Sequence, residues 1–300
     1  MKKRSISGSA FDVFNVLFML ALGFTFLYPF WNTLILSFND SLDTMRGGVY
    51  FWPRIWTLDN YRAALNDSSI LRAYGITIAK TLIGTATGVI LTASFAYGLS
   101  KKKLLFRNFY LNICIVTMFF SGGMVPTYIL YRNLRLLNNF LVYIIPGFYS
   151  VGNMIVFKSF FVSLPDSLEE AAEIDGYNHL QIFFKIIIPL SMPVIATISL
   201  FNGVAHWNGW FDAYIYMTDE SLYPLQTLLK KLLAQSTMIT DMQKSGIMSA
   251  GAGTGQASGT VTSNGLQLAM MMITTGPIIL AYPFLQKYFV SGMTLGAIKE

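Results

Sequence analysis

The sequence predicts an all-α membrane protein of about six transmembrane helices, and three observations carry that prediction. Of its 300 residues, 54% are hydrophobic and only 12% are charged, about half the charged share of an ordinary soluble domain, and the mean hydropathy is +0.51. The apolar residues fall in long blocks, each near the roughly 20 residues a helix needs to cross hydrocarbon. Those blocks lack the alternation of barrel strands, so their backbone groups must pair within each segment, as a helix allows.

The blocks follow in order. Residues 11–38 come after the basic Lys2, Lys3 and Arg4; the block is too long for a signal-peptide core and lacks a small-residue cleavage site, so it is expected to be retained as a span. Residues 73–99, 109–131, 140–161 and 186–217 give four more, the last long enough to need a tilt or a break. Residues 266–290 give the sixth, and the whole chain, 1–300, reads as one transmembrane domain. Basic clusters at residues 2–4 and at Lys101, Lys102, Lys103 and Arg107 flank helix ends, which sets both termini on the cytoplasmic side.

Two polar connections then lie outside. Residues 39–72 are expected as an outer excursion, with Trp52, Pro53 and Trp56 suited to the membrane interface. Residues 218–265 are expected as an outer loop whose Gly/Ser/Thr-rich end disfavours a packed core. Gly251, Gly253 and Gly255 superficially resemble a phosphate-cradling loop, but no strand precedes them and no helix N-terminus follows in an aqueous compartment. The net charge of +6 is scattered between apolar blocks without a basic face, which argues against nucleic acid. The single Cys114 sits in an apolar block and offers neither a disulfide nor a metal set.

The most informative stretch is the predicted cytoplasmic loop 163–185, between the fourth and fifth blocks. Pro165 and Asp166 suit a first helical turn, Ser167 with Glu170 has capping-box spacing, and Gly176 is a natural stop. On a wheel Leu168, Ala171, Ala172 and Ile174 share one arc, opposite Glu169, Glu170 and Glu173. A second short piece is expected through Tyr177 and Leu180. A connector lying on a membrane surface would carry Lys and Arg on its polar face; this one is acidic, and docking into a partner's cleft is the competing use.

Glu170-Ala171-Ala172, three residues, Gly176, nine residues, then Ile186, Ile188 and Pro189 resemble the EAA signature of membrane subunits of bacterial binding-protein-dependent ABC importers, with Ile188 where Leu is commoner. The similarity runs through Tyr28-Pro29-Phe30, Ala96-Tyr97, Gly123 to Pro126, Trp207-Asn208 and the tail from Gly292 to Lys299. That set resembles the carbohydrate permeases of the maltose-G type, and within them the branch for lipo-oligosaccharide and polysaccharide uptake, which makes alginate or another oligouronide the first candidate substrate. The resemblance implies the type I importer architecture, a second homologous permease, two cytoplasmic ATPases that hold the ATP and magnesium, an extracytoplasmic binding protein, and residence in the bacterial inner membrane. Glu170, Ala171, Ala172 and Gly176 then fall at the ATPase-coupling positions. No cofactor is implied for this chain, and no Gly-x-x-x-x-Gly-Lys-Ser/Thr loop is present to hydrolyse ATP.

The fifth block carries Asn202, His206, Trp207, Asn208, Trp210, Asp212, Tyr214 and Tyr216 in its outer half. Polar groups at membrane depth face cavities, and aromatic faces stack on sugar C–H faces, so Asn202, Trp207, Asn208 and Trp210 are the expected substrate-path residues. An interfacial aromatic belt would account for Tyr214 and Tyr216 equally well. Gly84 and Gly88 form a small-xxx-small pair suited to helix packing. A gradient-driven secondary transporter is the alternative function; against it, no internal repeat is evident and Lys80 and Asp212 are the strongly charged residues well inside blocks, with no pairing legible from sequence.

Overall fold

The computed structural model describes residues 6–244 and 261–297, with side chains described only in part beyond residue 235. The described residues are helical with a single isolated bridge, between Asn39 and Trp56. They divide into two compact units, one drawn from 1–68 and 231–276, the other from 69–230 and 277–297.

In the first unit, α1 (Ile6–Ser37) is a 32-residue helix whose apolar side chains stay largely exposed from Phe11 to Trp31, while Ile35 in its last turns is buried. Pro29 lies inside the helix and leaves the Thr25 carbonyl without its usual N–H donor, while the Thr33 hydroxyl donates to the Pro29 carbonyl at 2.8 Å. The excursion after it holds α2 (Ser41–Met45) and α3 (Asp59–Asn66). Buried amides stitch it together. Asn39 accepts from the Arg54 and Ile55 backbone N–H groups at 2.8 and 3.0 Å and donates to the Asp43 carboxylate at 3.0 Å. Asn60 donates to the carbonyls of Ser37 and Asn39 and accepts from Ser41. The Asn39 hydrogen bond, with Arg54 beside it, holds the Asp43 carboxyl below the usual range.

The second unit begins with α4 (Ser68–Ser100), five residues earlier than the sequence suggested, and continues through α5 (Arg107–Phe119), α6 (Met124–Asn133), two 3-10 turns (Phe140–Tyr143 and Ile145–Gly147) and α7 (Val151–Ser163). The loop segment holds α8 (Ser167–Ile174) and α9 (His179–Ile182), then a π turn at Phe183–Ile187 and α10 (Ile188–Leu190). After them come α11 (Met192–Asn208), α12 (Phe211–Tyr216) and the start of α13 (Leu225–Lys244), whose residues from 231 on belong to the first unit. The last helix, α14 (Ser263–Ala297), covers the sixth predicted block and belongs to the first unit as far as Gly276.

Two helical stretches, Phe11–Ser37 and Ser68–Ser100, are each long and apolar enough to span alone among the described residues; three bent pairs reach that standard jointly, giving two to five candidate spans. Three of the expected blocks are bent, and the break expected of residues 186–217 is among them. Block 109–131 bends by 114° between α5 and α6, where Gly123 takes a φ of +82° open to glycine and Pro126 follows in the next turn. Block 140–161 bends by 44° after Pro146 and Gly147, and α7 restarts from the Ser150 cap. Block 186–217 bends by 83° around Ser191, flanked by Pro189 and Pro193, and breaks again at Gly209. The predicted outer loop 218–265 is helical to Lys244, and its residues 245–260 lie outside the described residues.

The second unit's main core joins α4, α7 and the helices after the loop. Ala93 and Ala96, both fully buried, let Phe157 and Phe161 of α7 approach, while Tyr97 packs 5.2 Å from the Phe183 ring. Small residues and close packing hold helices together where lipid removes the hydrophobic drive. Gly84 and Gly88 serve this way: a Cβ at Gly84 would stand 2.6 Å from the His206 ring, and one at Gly88 2.7 Å from the Gly147 carbonyl.

Candidate functional site

The loop segment is built from local rules. Helix α8 ends in a paired closure: Tyr177 N–H donates to Ala172 O at 2.9 Å and Gly176 N–H to Glu173 O at 3.0 Å, with Gly176 at φ +83°. This is the Schellman arrangement, which satisfies carbonyls that the helix end leaves open. The capping box expected from Ser167 and Glu170 does not form, because the helix starts at Ser167 itself with Asp166 before it. It forms one element later: Asn178 accepts from Gln181 N–H and Gln181 accepts from Asn178 N–H, both at 2.9 Å.

The predicted coupling residues divide by direction. Ala172 is buried in the chain's own core, whereas Ala171, Glu170 and Gly176 are exposed. The apolar arc drawn on the wheel splits likewise: Ala172 turns inward and Ile174 outward at 87% exposure, joined by Leu180 at 71%. Sequence reasoning missed Leu180 as an outward apolar residue, though its place in a short helix after a glycine turn was the available signal. Two acidic residues are taken up within the chain, Glu169 by Lys101 and Asp166 by Lys102 at 2.8 Å; the Lys102 hydrogen bond lowers the Asp166 pKa. Glu170 enters no ion pair among the described residues and lines a cleft of about 730 Å³ with Lys101, Lys102, Glu173 and Phe183. The segment thus offers a partner an unpaired carboxylate and two apolar side chains on a braced turn.

The predicted path residues surround the break between α11 and α12. Asn202 accepts from the Asn153 amide at 2.9 Å, tying α11 to α7. Trp207 is buried edge-on to the Tyr74 ring, 6.0 Å away, and so is a packing residue as much as a wall. Asn208 is exposed and accepts from Gln226 at 3.2 Å. Trp210 is half-buried beside Phe211 and Tyr214, with the Lys230 ammonium 5.0 Å over its ring. At the break, Lys80 of α4, 2% exposed, donates to the Gly209 carbonyl. Its ammonium also lies 5.2 Å from the Tyr143 ring and attracts Asp212. Sequence reading found no partner for Lys80; the residues it meets are far along the chain. Lys230 and Gln226 were read as loop residues because the segment is polar, although Leu225, Leu228, Leu229 and Leu232 repeat at helical spacing. Among the described residues no His, Cys, Asp or Glu cluster suits a metal.

The family model described as "Binding-protein-dependent transport system inner membrane component" matches residues 4–295, and the chain belongs to that family. It is therefore a membrane component of a transport system, and membership speaks for the binding-protein-dependent class over a gradient-driven carrier. Protein LplC of Bacillus subtilis is 37% identical over 98% of this chain and 96% of its own length. The polygalacturonan/rhamnogalacturonan transport system permease protein YtcP of the same organism is 36% identical over 96% and 98%. A crystal structure of a bacterial ABC transporter involved in the import of the acidic polysaccharide alginate superposes with a TM-score of 0.84 at 30% identity, covering 96% of this chain and 100% of that one.

Proposed function

We propose that this chain is one of two homologous permease subunits of an ATP-driven importer, forms part of the path for an oligo- or polysaccharide, and takes its drive from cytoplasmic ATPases through Glu170, Ala171, Ala172 and Gly176. The relatives handle, by their names, polygalacturonan, rhamnogalacturonan and alginate, so an oligouronide is the substrate to test first. Nucleotide and magnesium belong to the ATPase partners, an outer binding protein delivers substrate, and both termini face the cytoplasm of the inner membrane.

The observation that carries the reading is the loop turn itself, rigidly closed at Gly176 and presenting Glu170, Ile174 and Leu180 outward. Exposed apolar side chains on a short acidic element suit a partner's groove better than an anionic lipid surface. Ala172, buried in the core, would pass force from the docked helix to α4 and α7. The test is Glu170→Lys in the assembled complex: membrane insertion and assembly should survive while uptake and substrate-stimulated ATP hydrolysis fall together. Normal uptake by that complex would remove the role of the carboxylate. Robust ATP hydrolysis by the purified single chain would end the whole reading.

A further inference from the structure

The wall after the span-five break holds a combination that the path reading does not use. Trp210 presents a half-buried ring; Lys230 stands over that ring at 5.0 Å; Asn208 and Gln226 pair their amides at 3.2 Å beside it. Both sides of this wall are fixed. Thr227 donates to the Trp210 carbonyl at 3.1 Å, and Leu225 N–H donates to the Thr77 hydroxyl at 2.8 Å, so the first turns of α13 are pinned to the break and to α4. Gln226 and Lys230 are four residues apart and share one helix face. Among the described residues no carboxylate lies within ion-pair distance of Lys230.

An aromatic face, an unpaired exposed ammonium and two amides are the groups that a sugar bearing a carboxylate requires: stacking for the ring, a charge-assisted bond for the carboxylate, and donors and acceptors for the hydroxyls. We infer that Trp210, Lys230, Asn208 and Gln226 form a subsite for one uronate unit, and that Lys230 makes the path selective for acidic saccharides. The inference rests on the reading that the fifth span lines the path, and adds the class of substrate that this wall prefers. The cation already sits over the ring it would share with the sugar, so a bound carboxylate needs only a small swing of the lysine head.

The test uses the full complex in proteoliposomes with its binding protein, and three probes: trigalacturonate, its methyl ester, and maltotriose. Lys230→Gln should lower trigalacturonate uptake about tenfold, the cost of one lost charge-assisted bond, and leave any methyl-ester uptake unchanged; Lys230→Arg should restore most of it. Trp210→Ala should lower uptake of every saccharide carried, whatever its charge. Equal loss for trigalacturonate and its ester, no loss for either, or a wild-type complex that carries maltotriose but not trigalacturonate would each overturn the acidic subsite. A wild-type complex that carries no saccharide would instead overturn the path reading beneath it, and so with it the subsite.

Discussion

The turn at Gly176 and the break at Gly209 both end a helix beside a functional surface, yet they are held in opposite ways. At Gly176 the bonds that close the turn itself lie within five residues: Tyr177 to Ala172, Gly176 to Glu173, Asn178 with Gln181. At Gly209 the bond comes from Lys80, 129 residues away. The first device depends little on how the rest of the bundle packs, which suits the coupling role proposed for it. The second ties two spans into one register, which suits a wall whose side chains must stay in place.

That contrast is most directly broken at Lys80. Lys80→Met should destabilise the complex by about 1–3 kcal/mol, because the Gly209 carbonyl loses its donor and Asp212 a neighbouring cation. Thermal unfolding of the purified complex reads it, and an unchanged midpoint would mean that the break is held by packing alone. Restoring stability with Lys80→Met, Asp212→Asn together would show that the penalty came from the orphaned charge.

Gly176→Val comes next. A β-branched residue at φ +83° costs about 1–2 kcal/mol or more, and since nothing lies within 4 Å of its Cβ the cost is conformational and not steric. Uptake should drop severalfold while the complex still assembles; a variant with wild-type uptake would show that the turn need not be left-handed. Asn178→Ala should cost about 1 kcal/mol and act locally, seen as faster amide exchange at residues 178–182 with the Gly209 region unmoved. Spread of that exchange into α11 would blur the distinction between the two devices.

The smallest effect belongs to the exposed Lys102–Asp166 pair. A lowered carboxylate pKa contributes stability that is present above the 3.8 of free aspartate and lost as pH falls through the lower folded value. Asp166→Asn should leave the unfolding midpoint at pH 7 nearly unchanged and flatten its fall below about pH 4. A large shift at pH 7 would move this pair from brace to structural anchor.

Of the candidate site, the coupling segment was legible because its signals are local. Gly176 announced its own left-handed turn, and the Glu170-Ala171-Ala172 spacing carried the resemblance. The reading failed where one residue of register decided the outcome: α8 starts at Ser167, so Asp166 takes its N-cap position without a side-chain bond, and the capping box belongs to Asn178 of α9. The direction of Ala172 and Ile174 escaped as well, since a two-turn helix presents too few residues for a wheel to say which edge the core will take.

Amphipathic pattern, span length and glycine chemistry are properties of neighbouring residues, so the sequence by itself determined the helical class, the apolar blocks, the Gly176 stop and the list of polar residues in the fifth span. Only the tertiary structure decided that blocks three and four are bent and where block five breaks, that Lys80 closes the Gly209 break, and that Lys230 lies over Trp210. Those facts depend on which turn of one helix faces which turn of another. A hydrogen bond across 129 residues leaves no mark on the residues beside either end.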